Sequence, residues 1–224
     1  MKSRQGRRRS AGAEMMGSNF TGSDFSRANM GGVEIVGANF TLANFTGAQI
    51  NGAEAQGSSF VRANLTRANL SGSEMHGVNF TGATLSGANF SNSELFGATL
   101  ANVRASGANF SNAEVTASNL SGGDFSNADF SNASLDGARL TGGSFSRADF
   151  SNASLRRTDI RGADLSGARG LTQEQISEAC GDGSTRLPGR LTPQACRSSS
   201  IRVIRTPPTP PVPPRVRNFV NAQN

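Results

Sequence analysis

Taken in steps of five from Met15, the chain presents an apolar residue every time: Met15, Phe20, Phe25, Met30, Ile35, Phe40, Phe45, Ile50, and so on to Ile160 and Leu165. The frame runs through 31 positions, from 15 to 165, without a slip. Two residues before each large apolar residue stands a small one, nearly always Ala, Ser, Gly or Val, with Thr158 the bulkiest polar case. Between the two sits an outward polar residue. This small–polar–large order has the period of a strand, so each unit predicts a very short strand with its small and large side chains on one face. Five is an odd number, and along a straight strand the large residues would alternate between faces. To keep them on one side the backbone must turn once per unit. A helix is excluded because a five-residue step walks around a cylinder of 3.6 residues per turn. Gly and Asn at Gly82, Gly87, Asn92, Gly97, Asn112 and Asn127 fall where the turns are needed and tolerate turn conformations.

A second periodicity fixes how many turns close a coil. Glu recurs at Glu14, Glu34, Glu54, Glu74, Glu94 and Glu114, always 20 residues apart. The run (Asn/Asp)-Phe-Ser-Asn recurs at the same interval, beginning at Asn89, Asn109, Asp129 and Asp149. Four units therefore make one coil, and coils stacked at about 4.8 Å predict a four-sided rod of nearly eight coils, roughly 40 Å long. Each buried Leu or Phe of the frame contributes about 1.5–3 kcal/mol to holding it together. Ala55 and Ala105 are the thin points, expected to leave space unless Phe60 or Phe110 shifts.

These units resemble the pentapeptide-repeat proteins, whose consensus A-(D/N)-(L/F)-X-X is matched by Ala38-Asn39-Phe40, Ala63-Asn64-Leu65, Ala128-Asp129-Phe130 and Ala163-Asp164-Leu165. The resemblance spans residues 13 to about 169 and implies an all-β fold, the right-handed quadrilateral β-helix. The hand of the coil comes from the resemblance alone. One subgroup of the family looks like duplex DNA and protects type II topoisomerases, which supplies a second functional expectation. Because the matching residues are those that build the column, the motif speaks to fold and not to function.

The ends differ from the body. Thr172-Gln173-Glu174-Gln175 has the form of a capping box, and Ile176, Ala179 and Cys180 share a face before Gly181. A short helix over 172–180, stopped by Gly181, is expected to close the rod, with Leu187 and Leu191 completing the lid. No comparable N-terminal cap is visible. The expected organisation is a disordered basic arm over 1–12, the β-helix over 13–169, a cap over 170–196 and a disordered basic, Pro-rich tail over 197–224. The stretch Pro207-Pro208-Thr209-Pro210-Pro211-Val212-Pro213-Pro214 favours polyproline II. Its Pro210-X-X-Pro213-X-Arg215 has the form of a proline-rich ligand, a short match that also arises by chance.

Composition sharpens the division. Of 224 residues only 35% are hydrophobic and 17% charged, with 14 Phe, no Trp and no Tyr, which fits a thin repetitive core better than a multilayer one. The formal charge is +6, distributed as five basic and no acidic groups in 1–12, ten and thirteen in 13–169, and seven and three in 170–224. The body is thus acidic by three and the arms are basic. Arg7, Arg8, Arg9, Arg202, Arg205, Arg215 and Arg217 are either electrostatic tethers to nucleic acid or an anionic surface, or solvated tails. There is no apolar run long enough to span a bilayer and no secretory signal, so a cytoplasmic location is expected. Cys180 and Cys196 are the only cysteines; a reducing compartment favours packed thiols, a disulfide is the alternative, and zinc is poorly served without a nearby His.

No catalytic constellation, phosphate loop, dinucleotide fingerprint or metal cluster appears, so neither an enzyme nor a cofactor is expected. The single His, His76, lies on the outside of the rod. The most informative surface is the Glu column, whose carboxylates about 5 Å apart repel by roughly 1 kcal/mol per neighbouring pair even in water. Two residues on from these Glu come Met16, Val36, Gln56, His76, Phe96 and Thr116, and Phe96 is the one Phe of the repeats outside the core frame. Duplication of one Glu-bearing unit accounts for the column without function. The functional expectation is a rigid scaffold that contacts an unidentified basic or amphipathic protein through Glu14, Glu34, Glu54, Glu74, Glu94, Glu114, His76 and Phe96. The alternative is a DNA-mimicking protein that binds and protects gyrase.

Overall fold

A computed structural model describes residues 15–196. Glu14, the basic arm with Arg7, Arg8 and Arg9, and the tail with Arg202, Arg205, Arg215 and Arg217 lie outside them. From Asn19↔Asn39 to Asp149↔Arg169, parallel bridges join each ladder residue to the one 20 positions on. This is the register that the Glu and Phe-Ser-Asn repeats require. Each ladder residue bonds the coil before it, as Asn39 N–H donates to the Ser18 carbonyl at 2.9 Å and its carbonyl accepts from Phe20 at 2.7 Å, while its neighbours bond the coil after, Phe40 N–H to the Ser59 carbonyl at 2.7 Å and Ser59 N–H to the Ala38 carbonyl at 2.9 Å. The resulting β-solenoid has four walls, named here by their ladders: wall 1 with Glu34 to Glu114, Ser134 and Ser154; wall 2 with Asn19 to Asp159; wall 3 with Asp24 to Asp164; and wall 4 with Asn29 to Arg169.

The corners are built by one device repeated. In nearly all, the N–H three residues after a core residue donates back to that residue's carbonyl, as from Ala43 to Phe40 at 3.0 Å. The second corner residue takes a positive φ at every unit from Gly17 to Gly162, between 55° and 70°. Positive φ at the second of two central residues is the signature of a type II turn. Asn fills six of these corners and Gly seventeen, but Leu42, Ala117, Arg27, Arg62, Arg67, Arg147 and Arg157 occupy the same conformation. Those seven pay a steric cost that the surrounding ladder imposes.

Inside, the frame residues form a continuous core in which Ala55 and Ala105 are fully buried alongside the large side chains. Phe rings stack along the walls and change wall half-way. Phe20, Phe40, Phe60 and Phe80 stack behind wall 2 at centroid distances of 5.0–5.2 Å. Phe90, Phe110, Phe130 and Phe150 stack behind wall 4 at 4.9–5.3 Å. Phe80 and Phe90 link the two stacks edge-on at 5.7 Å. Behind wall 3, Phe125 and Phe145 stack at 5.1 Å, and each is preceded by Gly, at Gly123 and Gly143. A Cβ on Gly123 would fall 2.5 Å from the Phe125 ring, so this ring orientation requires glycine. Where a buried Ser or Thr fills the small position, its hydroxyl finds a backbone acceptor: Ser73 to the Ile50 carbonyl at 2.9 Å, Thr158 to the Leu135 carbonyl at 2.8 Å. These buried polar atoms are thereby satisfied.

After the last repeat, helix α1 spans Gln173–Glu178 and buries Ile176 in the core. Its capping box is present: Gln175 N–H donates to Thr172 Oγ1, and Gln175 Oε1 accepts from Thr172 N–H at 2.8 Å. The helix is shorter than the expected 172–180, ending at Ala179 in an extended conformation with φ −85° and ψ 169°. Gly181 is not its stop. A Cβ on Gly181 would sit 2.9 Å from both Pro193 Cβ and Thr185 Oγ1, so glycine serves close approach of the chain there. Cys180 is not on the helix but pairs with Asp159 in the ladder. The expectation of reduced thiols is also corrected: Cys180 and Cys196 form a disulfide, because the Gly181↔Ala195 bridge brings their Cα atoms to 4.4 Å. Leu187 and Leu191 are half-buried against the core, as expected of lid residues. Among the described residues no helix is long and apolar enough to cross a membrane.

Candidate functional site

Wall 1 carries the Glu column, with Glu34, Glu54, Glu74, Glu94 and Glu114 bridged in succession and all exposed. The column that follows each ladder residue by two, Met16, Val36, Gln56, His76, Phe96, Thr116, Asp136 and Arg156, forms the adjoining corner. Its polar members from Gln56 to Asp136 reach the ladder residue of the next coil, 18 positions on. Gln56 donates from Nε2 to Glu74 Oε2 at 2.9 Å, and His76 Nε2 lies 2.9 Å from Glu94 Oε2. The same diagonal joins Thr116 to Ser134 at 3.1 Å, and Ser154 to Asp136. Asp136 in turn takes Arg156 at 2.8 Å.

This diagonal sorts the five glutamates into two kinds. Where the corner residue is polar, at Gln56 and His76, the next Glu has a partner. Where it is apolar, at Met16, Val36 and Phe96, the next Glu has none: Glu34, Glu54 and Glu114 carry no hydrogen bond or ion pair among the described residues. Each unpartnered carboxylate therefore stands beside an apolar corner. Two of those corners are conspicuously uncovered, Met16 at 46% and Phe96 at 51% exposure. Phe96 is also braced on one side by the His76 ring, edge-on at a centroid distance of 6.4 Å.

The other walls differ in charge. Walls 2 and 3 with their corners carry Arg27, Arg62, Arg67, Arg104, Arg139 and Arg147. The Arg62 and Arg67 stems lie over Gly82 and Gly87 of the next coil, with Cγ 3.5 and 3.6 Å from where a Cβ would sit. Toward the C-terminal end the acids are paired: Asp159 is held below the usual carboxylate range by hydrogen bonds from Arg161, at 2.9 and 2.6 Å. Asp159 also lies with Cys180 and Cys196 in a group whose ligand atoms are within 4.8 Å of one another. The two sulfurs are bonded to each other and both carboxylate oxygens accept from Arg161, so in this state the trio has little to give a metal.

Eight copies of the family model described as Pentapeptide repeats match the chain, from residues 11–41 to residues 133–169, and together they run without a gap. The chain belongs to the pentapeptide repeat family. No curated protein matches it. Several solved pentapeptide structures are similar. HetL, a pentapeptide repeat protein involved in heterocyst differentiation regulation from the cyanobacterium Nostoc sp. strain PCC 7120, is 23% identical over 76% of this chain and 88% of its own, with a TM-score of 0.35. QnrB1, a plasmid-mediated fluoroquinolone resistance protein, is 24% identical over 76% of this chain and 92% of its own, with a TM-score of 0.40. A pentapeptide repeat protein of the Arabidopsis thaliana thylakoid lumen is 21% identical over 82% of this chain and 91% of its own, with a TM-score of 0.26.

Within this pentapeptide solenoid, the sequence located the wall and the outward Phe96 but not the distinction between partnered and unpartnered glutamates. The signal was available: once the coil is 20 residues, the corner residue at n meets the ladder residue at n + 18, and the side-chain type at n decides whether that meeting is a hydrogen bond.

Proposed function

We propose that this pentapeptide repeat protein is a non-enzymatic, cytoplasmic scaffold of nearly eight right-handed coils, capped by α1, that holds one protein partner along wall 1. The observation that carries the reading is the coupling of unpartnered acid to exposed apolar surface at Met16 with Glu34 and Phe96 with Glu114. Such a surface fits an amphipathic segment that offers cations to the carboxylates and an apolar side chain to the Phe96 corner. Aromatic side chains in mostly polar surroundings are the usual energetic anchors of such contacts. The rigid ladder keeps the carboxylates in place, so binding orders few groups on this side. The arginines of walls 2 and 3 speak against imitation of duplex DNA, which needs acid around the rod.

The test is affinity capture with the full chain, comparing the native protein with Glu34→Lys/Glu54→Lys/Glu114→Lys and with Phe96→Ser. Circular dichroism establishes that each variant keeps the solenoid. Partners held by the native chain at low salt are expected to be lost from both variants and weakened at 0.5 M salt. A capture profile unchanged by both substitutions removes wall 1 as the contact surface.

A further inference from the structure

The chain beyond α1 is attached in two unequal ways. Residues 178–186 take the place of one more coil: Arg157, Ile160 and Leu165 donate their N–H groups to the carbonyls of Glu178, Cys180 and Arg186, each at 2.8 Å. The bridges Asp159↔Cys180 and Asp164↔Arg186 continue the ladders of walls 2 and 3. Residues 187–196 continue none of the solenoid's ladders and join it through one parallel bridge, Gly181↔Ala195. Gly181 N–H donates to the Gln194 carbonyl at 2.6 Å, and Gln173 and Thr192 exchange two exposed hydrogen bonds at 3.1 Å. Leu187 and Leu191 are half-buried. Beyond that single bridge and these hydrogen bonds, the Cys180–Cys196 disulfide is what secures that end.

We propose that residues 187–196 are a redox-latched strap, closed across the end of the solenoid when Cys180 and Cys196 are joined and released when they are reduced. The two cysteines have the asymmetry that a latch needs. Cys180 is fixed, with its N–H donating to the Thr158 carbonyl at 2.8 Å and its carbonyl accepting from Ile160. Cys196 ends a segment with few other attachments. The glycine at 181 lets the closed strap seat, since a Cβ there would collide with Pro193. Closure is thiol–disulfide exchange. The two cysteine thiols pass two electrons to a small-molecule disulfide of the glutathione class. One S–S bond forms in the protein, the oxidant's S–S bond breaks, and the two protons leave on two small thiols. Opening is the reverse exchange. A reducing thiol pool therefore holds the strap open, and oxidation shuts it. This inference is independent of the contact made by wall 1.

The ring closed by the disulfide, with a sequence separation of 16, favours the closed strap by roughly 100-fold over the same segment untethered. The experiment is limited trypsin digestion of the full chain in glutathione buffers of graded thiol-to-disulfide ratio, followed by mass spectrometry at the exposed Arg190–Leu191 bond. Cleavage there is expected to rise by one to two orders of magnitude as the disulfide is reduced, to fall again on reoxidation, and to leave 15–169 uncut. The Cys196→Ser chain is expected to be cut fast in every buffer. Equal resistance of the reduced and oxidised native chain overturns the proposal. So does fast cutting with the disulfide intact, or two free thiols at every ratio.

Discussion

Replacing Phe110 by Ala removes an inner ring of the four-ring stack behind wall 4. Phe110 is fully buried, 4.9 Å from Phe90 and 4.9 Å from Phe130 with planes 2° and 5° apart, and its edge faces Phe125 at 6.1 Å. Truncating a buried Phe to Ala costs about 3–5 kcal/mol in lost transfer energy and cavity. Part of that is the ring pairing, about 0.5–1.5 kcal/mol for each stacked neighbour. Phe110→Leu keeps most of the volume and forfeits mainly the pairing with two neighbours, so it is expected to cost about 1–3 kcal/mol. The gap between the two variants separates filled volume from ring stacking. Because each coil touches only its neighbours, the damage is also local, and amides of the flanking coils open before those near Phe40. Urea unfolding followed by circular dichroism gives the two energies, and hydrogen exchange gives the place. An Ala variant within 1 kcal/mol of the native chain, or exchange rising evenly along the rod, refutes the packing described.

Other substitutions test other parts of the construction. Gly123→Ala places a methyl 2.5 Å from the Phe125 ring and is expected to destabilise by about 1–3 kcal/mol in the same urea assay, although Ala is the commonest residue at that position elsewhere. Ala117→Gly has the opposite sign: Ala117 is exposed at φ 57°, so glycine relieves a cost of about 1 kcal/mol and raises the midpoint. Acid lowers stability through the Asp residues. Among the described residues, four of the six carboxylates held below their usual range lie between Asp136 and Asp164. Arg161 does this for Asp159, and Ser151 and Ser166 for Asp149 and Asp164; at Asp136 burial pushes upward and is outweighed by Ser154 and Arg156. Folded values below the unfolded value of about 3.9 mean that this stabilisation is complete above that pH and lost as pH falls through the folded values. The melting temperature is therefore expected to drop below about pH 4, with Asp159→Asn dropping less steeply.

The repeat itself was legible because one backbone unit is reused: a single phase error anywhere from Met15 to Leu165 would have turned a Phe or Leu outward. The corners followed for the same reason, since Gly and Asn mark most of them, though nothing local announces Leu42 or Arg62 in a left-handed conformation that the neighbouring coils enforce. The N-cap of α1 was readable from Thr172 and Gln175 because a capping box is a contact between residues three apart. The other end was not. Ala179 leaves the helix to resume the ladder at Cys180, one residue out of the 20-residue register, and Arg186 is two residues out. That irregular coil is what brings Cys196 to Cys180, so no spacing rule could assign the disulfide. Glu74 and Glu94 differ from Glu54 only through Gln56 and His76 on the coil before, a relation visible only once strands are laid side by side.

The column on which wall 1 depends is most directly tested by crosslinking. In a Cys180→Ser/Cys196→Ser background, Glu54→Cys/Glu74→Cys is compared with Glu54→Cys/Asn69→Cys, using a thiol-reactive linker of about 5 Å and mass spectrometry of the products. Residues 54 and 74 are bridge partners on wall 1, whereas 69 belongs to wall 4. Near-complete linkage of the first pair and little of the second is the expected result. Equal linkage of both pairs, or none of the first, would mean that the glutamates do not stack and that the acidic wall does not exist.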